Sequence, residues 1–168
     1  MDVKKRWIVT LAALALAAVA AWAIFAQNAM APEVTVAGLR GERLSLSGFK
    51  GKVVLVNFWA TTCTTCVGEM PQLVALREKY AGQGYETLAI AMDYDPPEYV
   101  KAFVAKTGLP FPVGMDSDGS AARAFGGVRL TPTSYLVDRQ GRIVQQYLGA
   151  PDFGRLEALV ADLLKNPR

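Results

Sequence analysis

The sequence predicts an α/β domain whose mixed β-sheet is covered by helices on both faces. Two nearly continuous apolar runs, at 52–60 and 85–93, have the β-branched composition of buried strands. A helical pattern follows each run, and the chain ends with a strand, a tight turn, another strand and an amphipathic helix. The 168-residue chain is long enough for one such domain after its apolar N-terminal segment is set aside.

The first 31 residues are predicted to form a membrane anchor and a linker, and residues 32–168 the folded domain. Residues 7–26 contain no charged side chain and match the roughly 20 residues that a helix needs to cross a bilayer. Basic residues at positions 4–6 precede this run, and by the positive-inside tendency they stay in the cytoplasm. We therefore expect a single-pass protein of the bacterial inner membrane whose domain lies in the periplasm, a compartment that permits disulfides.

A cleaved signal peptide is the alternative for this N-terminal segment. Ala29 and Ala31 have the small-x-small spacing of a cleavage site. The apolar run is longer than the usual core of a signal peptide, however, and Pro32 would directly follow the cut, where proline is poorly tolerated. These two features favour a retained anchor.

The elements before and after the cysteines follow in order along the chain. Residues 33–52 are typical of two short strands broken by glycines. The first buried strand then leads directly to Cys63, and a helical pattern begins at Thr64. Pro71 lies inside that helix and is expected to kink it. The apolar residues of this helix repeat at helical spacing, and they are Leu73, Leu76 and Tyr80.

The second half of the chain predicts a helix over 96–108, ended by Gly108, then an extended piece at 111–116 and a short helix at 120–126. A hairpin with its turn at Arg139–Gly141 follows, and an amphipathic helix closes the chain. The apolar residues expected to face the core from these two longer helices are Val100, Phe103, Val104, Leu156, Leu159, Val160 and Leu163.

Cys63 and Cys66 are the only cysteines of the chain, which contains no histidine. A structural zinc site needs four ligands and covalent haem attachment needs a Cys-x-x-Cys-His motif, so both are excluded. The absence of histidine also excludes Ser-His-Asp and Cys-His catalysis. A purely structural disulfide across two residues would stabilise the fold only weakly. A Cys-x-x-Cys motif beside a βαβ pattern instead favours a redox-active dithiol.

The position of this motif predicts different roles for its two sulfurs. Cys63 lies where the strand ends and the helix begins, so free backbone N–H groups and the helix dipole favour its thiolate, the species that attacks disulfides. Cys66 lies one turn further along, where it is shielded and suited to resolve a mixed disulfide. Thr64 and Thr65 add no charge, which favours a reducing or intermediate pair over a strongly oxidising one.

Residues 33–166 resemble the thioredoxin superfamily, and more narrowly the membrane-anchored TlpA/ResA-like thiol-disulfide oxidoreductases of bacteria. The likeness rests on VVLVNFWATTCTTC followed by EMP, on the extra strand and helix around 87–107, and on GGVRLTPTSYLVDRQGRIV. It implies a thioredoxin-like fold, with a central mixed β-sheet flanked by helices, extra N-terminal strands and a helical insertion. It also implies a nucleophile at Cys63 and a resolving residue at Cys66. Thr62 stands where the family usually has a tryptophan.

The resemblance implies roles for further residues around the dithiol. It predicts a cis peptide bond between Thr131 and Pro132, packed against the dithiol, and substrate contacts from these two residues and from Trp59. Asn57 stands where thioredoxin has a buried aspartate, and Glu69 matches an acidic residue that ResA-like members place beyond the second cysteine. We therefore expect the acid-base role at Glu69.

By this resemblance, the expected activity is reduction of disulfides in client proteins, with electrons from a CcdA/DsbD-like membrane donor. Candidate clients are the haem-site cysteines of apocytochrome c or the cysteines of copper-centre assembly proteins.

Two alternative functions stay open. Two thiolates can hold Cu(I), which allows a copper-handling module; a peroxiredoxin-type peroxidase is the other, although its P-x-x-x-T-x-x-C pattern is missing. We expect no cofactor, no resident metal and a monomer, and the net charge of +3 does not indicate nucleic-acid binding.

Overall fold

A seven-stranded mixed β-sheet is the framework of the computed structural model, which describes Trp7 and residues 29–166. The predicted membrane segment at 7–26 lies outside the described residues except for Trp7. Among the described residues, no helix combines the length and the apolar character needed to cross a membrane. The predicted α/β class, with a mixed sheet and flanking helices, is confirmed.

The strands of this sheet are short, and in chain order they are β1 (Thr35–Gly38), β2 (Arg43–Ser45), β3 (Val53–Trp59), β4 (Tyr85–Ala91), β5 (Val113–Met115), β6 (Thr133–Val137) and β7 (Ile143–Leu148). Across the sheet their order is β2-β1-β5-β4-β3-β6-β7. The β3–β4 and β4–β5 pairs are parallel, and the remaining neighbours are antiparallel. The N-terminal strands β1 and β2 therefore extend one edge of the sheet.

Helices within residues 29–166 connect and cover these strands, and they are α1 (Thr64–Tyr80), α2 (Pro97–Thr107), α3 (Ser120–Ala124) and α4 (Phe153–Lys165). Helix α1 contains Pro71 and continues to its end at Tyr80. Helix α2 is capped by Gly108, whose φ of 63° is left-handed and whose N–H donates to the carbonyl of Val104 at 2.9 Å. The predicted glycine cap is therefore confirmed.

Apolar side chains pack on both faces of the sheet. On one face, Leu73 of α1, Val100 of α2 and Leu156 of α4 have no exposed surface. On the other face, the ring of Phe58 packs against that of Phe125, which follows α3, with centroids 5.4 Å apart. The other apolar helix residues predicted to face the core are buried or partly buried: Leu76, Tyr80, Phe103, Val104, Leu159, Val160 and Leu163.

Strand β3 is buried along its whole length, which explains its almost entirely apolar sequence. It runs parallel to β4 on one side and antiparallel to β6 on the other, so that Phe58 is paired with both Ile90 and Thr133. These directions bring the carboxyl ends of β3 and β4 to the same edge of the sheet as the start of β6. The segments that follow or precede these strand ends are therefore neighbours in space.

Two leucines on adjacent strands test this packing. Leu136 on β6 has no exposed surface, whereas Leu148 on β7 is 71% exposed. We expect Leu136→Ala to lower the free energy of unfolding by about 2–5 kcal/mol, because it removes buried methyl groups and leaves a cavity. The matched change Leu148→Ala should alter it by less than about 0.5 kcal/mol. Urea denaturation of the oxidised proteins measures both values, and equal losses would contradict the described packing.

Candidate active site

Three chain segments meet beside the carboxyl end of β3. Residues 60–63 lead from β3 into α1, residues 92–96 lead from β4 into α2, and residues 126–132 lead into β6. The first segment leads to both cysteines, and contacts join it to the other two. This convergence defines the candidate active site.

Cys63 and Cys66 form a disulfide at the start of α1. Cys63 is the N-terminal cap of the helix, with extended backbone angles, and its Sγ accepts a hydrogen bond from the backbone N–H of Cys66 at 3.2 Å. This bond uses one of the N–H groups that a helix start leaves without an intrahelical partner. Cys66 has no exposed surface and Cys63 is partly exposed, so the expected difference in access is present.

A carboxylate from the segment after β4 holds the loop that precedes Cys63. Asp95 Oδ2 accepts a hydrogen bond from the backbone N–H of Thr61, and Asp95 Oδ1 accepts one from the Thr61 hydroxyl, both at 2.6 Å. Asp95 is only 2% exposed. The backbone N–H of Met92 donates to the carbonyl of Trp59 at 3.0 Å, which joins the same segment to the end of β3.

The loop before β6 lies on the other side of Cys63. The peptide bond between Thr131 and Pro132 is cis, as predicted. The carbonyl oxygen of Thr131 lies 3.5 Å from Sγ of Cys63, and Pro132 is buried while Thr131 is partly exposed. The hydroxyl of Tyr94, a residue that is 56% exposed, lies 3.2 Å from Oγ1 of Thr131. The segment after β4 thus reaches both loops that flank the sulfur.

A buried polar network lies on the strand side of α1. The Asn57 side-chain amide donates hydrogen bonds to Oε1 of Glu69 at 2.8 Å and to Oγ of Ser134 at 2.9 Å. All three residues are at most 2% exposed. Oδ1 of Asn57 and Oε2 of Glu69 have no hydrogen-bond partner among the described residues. The network is therefore only partly satisfied.

Burial changes the acidity of Glu69. It raises the pKa of this carboxyl to about 7, and the hydrogen bond from Asn57 offsets only part of the rise, because the charged form loses more solvation than the bond restores. One side of Glu69 borders a surface groove of about 340 Å³ between α1 and the start of α4. The other residues that line this groove are Thr65, Gly68, Gln72, Ala150, Pro151 and Phe153.

Trp59 is a fully buried residue at the end of β3. The resemblance predicts a substrate contact, but the side chain has no exposed surface and its ring packs against that of Phe103, with centroids 5.3 Å apart. In this structure Trp59 packs α2 against the sheet, and its contact with a substrate stays a prediction.

The structure brings together five of the residues expected at the site: Cys63, Cys66, Glu69, Thr131 and Pro132. Sequence reasoning missed Ser134, Tyr94 and Asp95. Tyr94 and Asp95 follow the second buried strand, and polar residues that follow parallel strands gather at the carboxyl edge of an α/β sheet, so their position was a usable signal. Ser134 lies 77 residues from its partner Asn57, and only the pairing of β3 with β6 brings the two together.

Comparison with known proteins finds relatives of this site and fold. The Redoxin family model matches residues 26–161. The thiol-disulfide oxidoreductase ResA of Bacillus thuringiensis subsp. konkukian is 40% identical over 128 residues, covering 76% of this chain and 72% of that protein. ResA of Halalkalibacterium halodurans is 34% identical and covers 98% of this chain and 97% of its own length. A solved structure from Chlorobium tepidum, assigned as a thiol:disulfide interchange protein DsbE, has a TM-score of 0.76 at 30% identity, covering 82% and 96% of the two chains.

The raised pKa of Glu69 predicts a pH-dependent stability. The folded-state pKa of Glu69, about 7, lies above the ordinary value of 4.5. Its contribution to the free energy of unfolding is therefore fully present below pH 4.5 and is lost as the pH rises through 7. Relative to Glu69→Gln, the free energy of unfolding of the oxidised protein should fall by about 1–3 kcal/mol over this interval, the lower figure allowing for water in the adjoining groove. Urea titrations at closely spaced pH values measure the difference. A pH-independent difference would place the pKa of Glu69 near its ordinary value.

Proposed function

Because the chain belongs to the Redoxin family and is a ResA-like thiol-disulfide oxidoreductase, we propose that it reduces disulfides of client proteins on the extracytoplasmic side of a bacterial inner membrane. The direction of the reaction, reduction of the client, is inferred from the buried Glu69, which follows a dithiol whose intervening residues are uncharged. An ionised carboxylate near the sulfurs disfavours their thiolates, and the less stable the dithiolate, the stronger the reductant.

The reaction proceeds in two exchanges. In the first, the Cys63 thiolate attacks one sulfur of a client disulfide, the client S–S bond breaks, and the second client sulfur leaves as a thiolate and takes up a proton. In the second, the Cys66 thiolate attacks Sγ of Cys63 and releases the first client sulfur. The client gains two electrons and two protons, and the chain keeps the Cys63–Cys66 disulfide. A dithiol donor of the CcdA/DsbD kind in the membrane then restores the reduced pair.

The geometry supports this division of roles. Cys63 is partly exposed and caps α1, where backbone N–H groups stabilise a thiolate, whereas Cys66 is enclosed and bonded to Sγ of Cys63. Thr131 and Pro132 border Cys63 on the side of β6. We assign these two residues to client binding, because a polypeptide whose sulfur reaches Cys63 must pass beside them.

Glu69 is the proton acceptor in this scheme. Resolution requires the Cys66 thiol to lose its proton, and Cys66 is buried one helical turn before Glu69. A carboxyl with a pKa of about 7 exchanges protons readily near neutral pH. The groove beside Glu69 gives that proton a way to solvent. Asn57 holds Oε1 of the carboxyl in place and cannot itself titrate.

The apolar segment at 7–26 and the basic residues before it support the proposed location. With the domain held at the membrane surface, the clients best suited are those whose cysteines are exposed in the same compartment before a metal centre is assembled. Apocytochrome c haem-site cysteines and copper-centre assembly proteins fit this description. The reduction of an apocytochrome c disulfide by the full chain, followed by reaction of the freed client thiols with a maleimide, tests the proposal.

The division of roles predicts which cysteine reacts first. In the reduced protein, a limiting amount of iodoacetamide should label Cys63, because Cys66 has no exposed surface in the structure. Cys66→Ala should accumulate a mixed disulfide with the client, and Cys63→Ala should not. Peptide mass mapping measures the labelling, and preferential modification of Cys66 would reverse the assignment.

The role of Glu69 predicts a combined effect on acidity and rate. We expect Glu69→Gln to keep the fold, to lower the pKa of at least one thiol because a nearby negative charge is removed, and to slow disulfide exchange with a protein client. Glu78→Gln, an exposed change on the same helix, is the matched control and should leave both quantities unchanged. Thiolate absorbance against pH and stopped-flow exchange rates measure them. Values that match the unsubstituted protein would leave Glu69 without a role in the reaction.

A further inference from the structure

Asp95 is a buried carboxylate that the reaction scheme does not use. It lies in the turn after β4, and both of its oxygens accept hydrogen bonds from Thr61, at 2.6 Å each. Both bonds come from donors, as an ionised carboxylate requires. None of the ion pairs found within residues 29–166 includes Asp95. The loop that leads to the nucleophile is therefore tied to a buried negative charge without a cationic partner in that part of the chain.

This charge is bonded to a residue two positions before the reacting sulfur. Thr61 and Cys63 are separated by one residue, so their Cα atoms lie at most about 7 Å apart. The disulfide carries no charge, and a nearby carboxylate changes its free energy little. The Cys63 thiolate is negative, and the same carboxylate destabilises it, with little screening because Asp95 is only 2% exposed.

We propose that Asp95 is a positioning residue that sets the reducing strength of the dithiol: through Thr61 it holds the loop that presents Cys63, and its charge disfavours the thiolate relative to the disulfide. This inference rests on the proposed function in one respect, namely that Cys63 is the attacking sulfur. It assigns the redox tuning to the segment after β4, which lies outside the Cys-x-x-Cys motif.

Other groups also act on the Cys63 sulfur. The N-terminus of α1 favours the thiolate, and Glu69 on the same helix opposes it when ionised. From the other two segments, the carbonyl of Thr131 lies beside Sγ of Cys63 and the hydroxyl of Tyr94 lies against Thr131, and neither group carries a full charge. Of these groups, only Asp95 is both charged and bonded to the loop before Cys63.

The Asp95→Asn variant removes the charge of Asp95 and can keep its hydrogen bonds to Thr61. The amide oxygen can still accept from the Thr61 N–H, and the amide N–H can donate to the Thr61 hydroxyl oxygen, so both bonds to the loop can be kept. In the full-length chain we expect the acid dissociation constant of the Cys63 thiol to rise about tenfold. At a pH above the thiol pKa, the equilibrium with glutathione should shift about tenfold towards the dithiol, which corresponds to about +30 mV. The shift should shrink as the pH falls, because a protonated thiol does not sense the charge.

Two matched variants separate the effect of the Asp95 charge from that of its hydrogen bonds to the loop. Asp93→Asn removes an exposed carboxylate of the same turn, one that lies near Gly119 at the start of α3, and should leave the glutathione equilibrium unchanged. Thr61→Val keeps the Asp95 charge and removes one hydrogen bond, so it should lower the melting temperature without a pH-dependent change in the equilibrium. All variants are compared in a Glu69→Gln background as well, where titration of Glu69 cannot overlap that of Cys63.

The outcomes are distinct. A tenfold, pH-dependent shift in Asp95→Asn alone supports the proposal. It is overturned if Asp95→Asn behaves as the unsubstituted protein at every pH, or if Asp93→Asn or Thr61→Val reproduces its effect. If Asp95→Asn folds poorly, the same shift of the glutathione equilibrium is measured in Asp95→Ser, which keeps a hydrogen-bonding group without charge. Labelling of Cys66 before Cys63 in the unsubstituted protein would instead mark a failure of the proposed function.

Discussion

The burial of strand β3 between β4 and β6 is the constraint on which the site depends. Its parallel pairing with β4 and antiparallel pairing with β6 bring three chain ends to one edge of the sheet. Cys63, Asp95 and Thr131 come from these three ends, and no local preference of the chain would bring them together. A slip of β3 by one residue would turn Asn57 to the opposite face and break its bonds to Glu69 and Ser134. The register of the sheet therefore determines the chemistry of the site.

The buried polar groups around the dithiol oppose stability in a way that suits the reaction. Burial of a polar group costs free energy unless it is fully hydrogen-bonded, and Asn57 and Glu69 each keep one oxygen without a partner among the described residues. Apolar residues of similar size would stabilise the same space better. Retention of an ionisable group under these conditions is typical of functional sites, where a pKa near the working pH is an advantage.

The sequence predicts what depends on local pattern and misses what depends on pairing across the sheet. Strand β3, helix α1 and the cap at Gly108 follow from apolar spacing and glycine, and the structure has them. The resemblance to ResA-like proteins also predicts the cis bond before Pro132. The complete burial of Trp59 was not predicted, because spacing from the cysteines does not reveal that its strand is covered on both faces. The bond between Asp95 and Thr61 depends on a turn 34 residues away, which no local pattern specifies.

The reducing character that we propose for the pair depends on a balance of charges around Cys63. The N-terminus of α1 favours its thiolate by about 0.3–1 kcal/mol, and up to about 2 kcal/mol when partly buried. At an effective dielectric constant of about 20, a unit charge about 12 Å away opposes it by about 1.4 kcal/mol, which is the size of the tenfold shift expected for Asp95. These two effects have opposite signs and similar magnitudes, and Glu69 adds to the opposition once it ionises near pH 7. Because the disulfide senses neither effect, the two carboxylates together weaken the dithiolate relative to the disulfide, which is the physical basis of the reducing direction that we propose. In the proposed scheme, Thr64 and Thr65 need only remain uncharged, since the two carboxylates would set the potential from either side of the motif.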